Sequence, residues 1–200
     1  MIDSLCDQAR GEDLAAAWLY CDFKTQQDQT TTNIIGAVLK QLVNRGEIPR
    51  DIREEFLEAK KVGGRRPLLE DLVRMLKIAV GPLRQVFICI DALDECLPEN
   101  LTELLKSLGD FVLEHPWTRI FFTGRPPVRE VLQRYFPKAA GIPISPKQDD
   151  IRNYVAARLN KDDVPEAMDN GLRVEIVKII LDKMSNMCVG VSPLSTMCAY

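Results

Sequence analysis

Three carboxylates, Asp91, Asp94 and Glu95, fall within five positions where the apolar run Val86-Phe87-Ile88-Cys89-Ile90 ends. Five apolar residues rich in branched side chains suit a strand covered on both faces, as in a parallel sheet flanked by helices. An unpaired carboxylate at the edge of a core costs several kcal/mol, roughly, and a magnesium ion bound directly or through water supplies the missing charge. The chemistry implied is the handling of a metal-bound phosphate. The alternative is structural: Asp91 ends a strand, and Asp94 and Glu95 sit favourably near the start of a helix opened by Pro98-Glu99.

Ile90-Asp91-Ala92-Leu93-Asp94-Glu95-Cys96 resembles the Walker B motif of NACHT-type STAND NTPases, signalling ATPases or GTPases, and in particular their fungal and nephrocystin-like branch. The resemblance implies that Asp91 holds magnesium through water, that Glu95 orients or deprotonates the attacking water, and that Asp94 supports both. About 24 residues after Glu95, Arg119-Ile120-Phe121-Phe122-Thr123-Gly124-Arg125-Pro126 again runs from an apolar strand into polar groups, and it looks like the family's sensor strand. By that resemblance Thr123 bonds a phosphate or the attacking water. Arg125, held by Pro126-Pro127, reports the γ-phosphate. The plainer alternative is an ordinary strand followed by a Gly-Arg-Pro turn.

The elements that must position these residues follow from periodicity. Residues 1–9 read as the tail of a helix and 14–21 as a strand. The polar stretch 26–32 is a loop in which Thr31 or Thr32 is able to cap a helix with the apolar face Ile34, Ile35, Val38, Leu39 and Leu42. Its Gln41-Leu42 also looks like a recurrent feature of fungal NACHT domains. Helices are expected over 51–60 and 68–79, each with glycine shortly after its end. Leu101, Leu104, Leu105, Leu108 and Val112 recur at helical spacing, predicting a helix over 98–114 that leads into strand 119–123. A helix over 128–135 and a short strand over 140–144 follow, and Pro143 confines that strand to an edge. This alternation predicts an α/β fold, a parallel sheet with right-handed crossovers flanked by helices. A small helical subdomain, the lid in the resembled family, begins near Asp149.

The domain reading is a NACHT-like core over 1–146, a helical lid over 147–186 and an irregular tail over 187–200. No glycine-rich turn ends in Lys followed by Ser or Thr, so the phosphate cradle of a P-loop is absent from this sequence. Gly63-Gly64-Arg65-Arg66-Pro67 reads as a solvated loop between helices. The resemblance, which covers roughly residues 1–185, implies a P-loop NTPase-like core without its first strand and phosphate loop. Family topology puts that strand between the sensor strand and the last one, so its loss predicts unpaired backbone in mid-sheet and an unstable or partner-repaired chain.

Composition excludes several classes. A net charge of −3 gives no footprint for nucleic acid. The six cysteines, at 6, 21, 89, 96, 188 and 198, show no paired CxxC spacing and read as buried reduced thiols, which suits a cytoplasmic protein. Neither a signal peptide nor a run of 18 apolar residues is present, so no membrane partner is expected. His115 is the one histidine and reads as a helix C-terminal cap, not as a general base.

Two functions from different classes remain. One is a piece of a nucleotide-dependent signalling switch that uses magnesium with ATP or GTP, self-associates when nucleotide closes the lid, and is unable to hydrolyse nucleotide alone. The other is a non-catalytic module that binds partner proteins and keeps the acidic strand as structure.

Overall fold

Alternating buried and half-buried side chains along 118–124, and a nearly continuous buried run along 86–90, build the centre of a sheet in the computed structural model. The structure describes residues 13–44, 46–63, 66–144, 147–159, 169–188 and 194–199. Strand β1 (Leu14–Tyr20) precedes helices α1 (Thr31–Val43), α2 (Arg50–Gly63) and α3 (Leu69–Val80). Strand β2 (Gln85–Asp91), helix α4 (Pro98–Glu114), strand β3 (Thr118–Gly124), helix α5 (Pro127–Tyr135) and strand β4 (Ala140–Ile144) follow. Helices α6 (Gln148–Leu159) and α7 (Asn170–Cys188) and strand β5 (Leu194–Ala199) complete the order.

β1, β2 and β3 are parallel neighbours, with Ala17 opposite Ile88 and Ile88 opposite Ile120. The α/β expectation therefore holds: a three-strand parallel sheet is flanked by helices, and further helices follow it. The core joins Ile88, Ile90, Ile120 and Phe122 of the strands to Ile34, Ile35 and Val38 of α1, Met75 and Leu76 of α3, and Leu104, Leu105, Leu108 and Phe111 of α4. Burying each such side chain is worth about 1.5–3 kcal/mol, so this layer dominates the stability of the sheet.

Several boundaries follow directly from local chemistry. Pro98 stands in the first turn of α4, where its missing N–H has no intrahelical acceptor to lose. His115 closes α4 as expected, its backbone N–H bonding Phe111 O at 3.0 Å. Its ring is buried, lies 3.1 Å through Nδ1 from the same carbonyl, and stacks on Phe111 with centroids 4.6 Å apart. The cap of α1 is one residue earlier than expected: the side chain of Thr30 accepts from Asn33 N at 3.2 Å. Thr31 is instead fully buried and donates to Asn100 O at 3.1 Å, tying α1 to α4. Gly63 lies inside the last turn of α2 and does not follow it. The helix expected over 1–9 lies outside the described residues.

The strand order is β1-β2-β3-β5-β4. β5 runs antiparallel to β3, with Thr196 opposite Thr123 and Ser195 opposite Gly124. The position expected to be vacant between the sensor strand and the last strand is thus filled by the chain's own C-terminal segment. The stretch read as an irregular tail contains this strand and, at 187–188, the end of α7. β4 is at the sheet edge, where Pro143 was expected to confine it. The opposite edge is β1, and there Gln41 of α1 closes the outward backbone of Trp18: its Oε1 accepts from Trp18 N at 3.0 Å and its Nε2 donates to Trp18 O at 2.7 Å.

The chain separates into two compact units. The first contains the described residues up to Ile142 together with Ser195–Ala199, and the second the described residues from Pro143 to Leu194, chiefly the paired helices α6 and α7.

Candidate functional site

Parallel strands deliver their C-terminal ends to one edge of a sheet, and that edge is where α/β proteins collect ligand-binding groups. Here β2 ends at Asp91 and β3 at Gly124, so Asp91, Thr123 and Arg125 converge there because the two strands are neighbours in register. Ala92 then turns the chain sharply with φ 55° and ψ 45°, the left-handed region that non-glycine residues enter at a cost of about 1–2 kcal/mol. A small side chain suits this position. The turn feeds a short 3-10 segment, Leu93–Glu95, which aims Asp94 and Glu95 back at the end of β3.

Thr123 serves both strands. Its hydroxyl accepts from Ala92 N at 3.0 Å and donates to Asp91 Oδ1, which holds the carboxylate in orientation and supports the strained turn. Arg125 spans the two following acids. Its Nε donates to Asp94 Oδ2 at 2.6 Å, its backbone N to Asp94 Oδ1 at 2.9 Å, and a terminal guanidinium nitrogen to Glu95 Oε1. These bonds, first those to Asp94 and then that to Glu95, raise the Arg125 guanidinium above its ordinary value. Asp94 and Glu95 are 12% and 21% exposed while Arg125 is 57% exposed, so the cation forms the outer surface of the cluster. Gly124 makes room for it: a Cβ there would stand 3.2 Å from Asp94 Oδ1 and 3.3 Å from Val128 Cγ1.

Two groups that sequence reasoning missed complete the surroundings. Gln26, in the 3-10 segment Phe23–Asp28 after β1, donates to Glu95 O at 2.7 Å and fixes the turn from the other side. Only its place in a polar loop hinted at this. Cys21, directly after β1, donates its backbone N–H to Asp91 O at 2.9 Å, and its sulfur lies 3.2 Å from that of Cys96. The Cys21 thiol is pushed well above its ordinary value, first by sharing a hydrogen with Cys96, then by burial and the nearby Asp91 and Asp94 carboxylates.

All five sequence-predicted residues, Asp91, Asp94, Glu95, Thr123 and Arg125, are therefore brought to one place. Thr123 and Arg125, however, bond the acids themselves. Among the described residues no group of three His, Cys, Asp or Glu side chains is arranged to hold a metal. One carboxylate steadied by a hydroxyl fits an ion that arrives with its own waters and a phosphate; it does not make a cage that captures magnesium alone. Also among the described residues, no helix is long and apolar enough to cross a membrane.

A family model described as "Nephrocystin 3, N-terminal" matches residues 1–125, a span that includes β1, β2, β3 and every residue of the cluster. No curated protein and no solved structure matches the chain significantly.

Proposed function

With 125 of its 200 residues matched, the chain belongs to the Nephrocystin 3, N-terminal family, and from that premise we propose that it is the Walker B and sensor portion of a nucleotide-dependent signalling switch of the NACHT type. Asp91 would serve magnesium through water, with Thr123 holding its orientation. Bound magnesium would draw charge from the phosphate oxygens of ATP or GTP. Arg125 is the responsive element. A γ-phosphate placed beside it competes with Glu95 for the guanidinium, and a released Glu95 becomes available to accept a proton from water.

The observation that carries this reading is the Arg125 bridge to Asp94 and Glu95, set at the ends of two parallel strands next to a hydroxyl-held Asp91. The sequence contains no GxxxxGK[ST] segment, so the residues here supply recognition of the ion and the outermost phosphate and leave hydrolysis beyond the reach of this chain alone. Titrating labelled ATP and GTP in magnesium tests the proposal. Micromolar binding that Asp91→Asn abolishes supports it, and no binding to either protein overturns it. Magnesium without nucleotide should leave the melting temperature unchanged.

A second reading is a partner-binding module in which the same residues only close the sheet edge. Its specific support is that each charged group of the cluster already has a protein partner. Under this reading Asp91→Asn lowers stability and nucleotide has no effect on either form.

A further inference from the structure

Cys21 and Cys96 stand 75 positions apart in sequence, yet their sulfurs are 3.2 Å apart, and each is anchored by its backbone. Cys21 N–H bonds Asp91 O at 2.9 Å, and Cys96 N–H bonds Leu93 O at 3.2 Å as the 3-10 segment closes. Both residues carry free thiols and are only 7% and 5% exposed. Approach by about 1 Å would bring the sulfurs to the ~2.05 Å of a covalent bond. A metal role has no support, because no third ligand stands with them among the described residues.

We propose that Cys21 and Cys96 form a site of oxidative modification, closed to a disulfide by hydrogen peroxide. One thiol, attacking as thiolate, displaces hydroxide from the peroxide and becomes a sulfenic acid. The second sulfur attacks that sulfenic sulfur, forming the S–S bond and expelling water. Together two thiols and one peroxide give one disulfide and two waters, so the sulfurs are oxidised and the peroxide oxygens reduced. The bond joins the segment after β1 to the residue next to Glu95, pinning the turn that Gln26 holds only through one hydrogen bond. It tightens the acidic turn whether or not that turn serves a nucleotide.

Exposing the folded full chain to hydrogen peroxide, alkylating the remaining thiols and mapping peptides by mass spectrometry without reductant tests the site. The expected product is a Cys21 peptide joined to a Cys96 peptide, lighter by two hydrogens and separated again by dithiothreitol. Because the bond would close a loop of about 75 residues, the oxidised protein should melt roughly 5 °C or more above the reduced one. Cys21→Ser and Cys96→Ser should each lose that rise. Both cysteines remaining alkylated after oxidation, pairing with other cysteines instead, or an unchanged rise in the serine variants would overturn the proposal. If a serine variant fails to fold, the wild-type peptide map decides alone. Nucleotide titration is a separate readout, so failure of the switch reading leaves this test intact.

Discussion

Arg74 on α3 and Arg125 after β3 make nearly the same bonds in different settings. Arg74 reaches Glu55 and Asp71, each at 2.6 Å, while Arg125 reaches Asp94 at 2.6 Å and also Glu95; both arginine side chains are 57% exposed. Their surroundings separate them. Around Arg74 everything is regular helix: Asp71 also accepts from Leu68 N at 2.9 Å at the start of α3, and Glu55 belongs to α2, so the bridge holds two helices together. Around Arg125 both acids come from the short 3-10 segment that follows the left-handed Ala92, next to a strand-end carboxylate, Asp91, already held by Thr123. An arginine bridging two acids is therefore no mark of a site in itself. What sets the Arg125 cluster apart is strained backbone that aims several acids at the end of a parallel sheet.

The contrast predicts different costs. Ala92→Val should destabilise the protein most, by about 2 kcal/mol, because a β-branched side chain is placed in the left-handed region; urea unfolding measures this. Arg125→Ala should weaken binding of magnesium nucleotide about tenfold or more, while Arg74→Ala leaves it within about twofold, since a charge-assisted contact to phosphate is lost only in the first. Equal effects in the two variants would erase the distinction. Asp71→Ala should cost about 1 kcal/mol of stability through the uncapped start of α3, with nucleotide binding unchanged. Ala92→Gly should stabilise by about 0.5 kcal/mol by relieving the turn.

The smallest effect concerns pH. Lys77 bonds Glu114 at 2.6 Å and holds its carboxyl below the ordinary value of 4.5. A lowered carboxylate favours the folded state above its unfolded value, and that contribution is lost as pH falls through the folded one. Thermal melts of Glu114→Gln and the native protein should therefore differ slightly near neutrality and converge in acid.

What the sequence disclosed depended on whether the determinants were local. The run 86–91 and the Leu101, Leu104, Leu105 and Leu108 repeat identified β2 and α4 because burial imposes its period on neighbouring residues. The five residues of the cluster were legible as two acid- and base-tipped strand ends. Their mutual bonds were not, since Thr123 and Asp91 meet only once β2 and β3 pair. The cap was expected at Thr31 or Thr32 and falls on Thr30, and only the approach of α4 shows why Thr31 is buried. β5 was illegible for the same reason. Leu194-Ser195-Thr196-Met197-Cys198-Ala199 carries little alternation, and its partner strand lies far away in sequence. The contact of Cys21 with Cys96 belongs to this class of nonlocal facts.

The side-chain amide of Gln41 occupies the backbone of Trp18 at the outer rim of the sheet, acting as a one-residue substitute for a neighbouring strand. That amide is rooted in α1, so the rim is shielded only while this helix stays docked. Melting of α1 around Gln41 would uncover an adhesive margin together with the buried Leu39 and Leu42 beside it, making local fraying the step at which crowded copies of the protein begin to zip together.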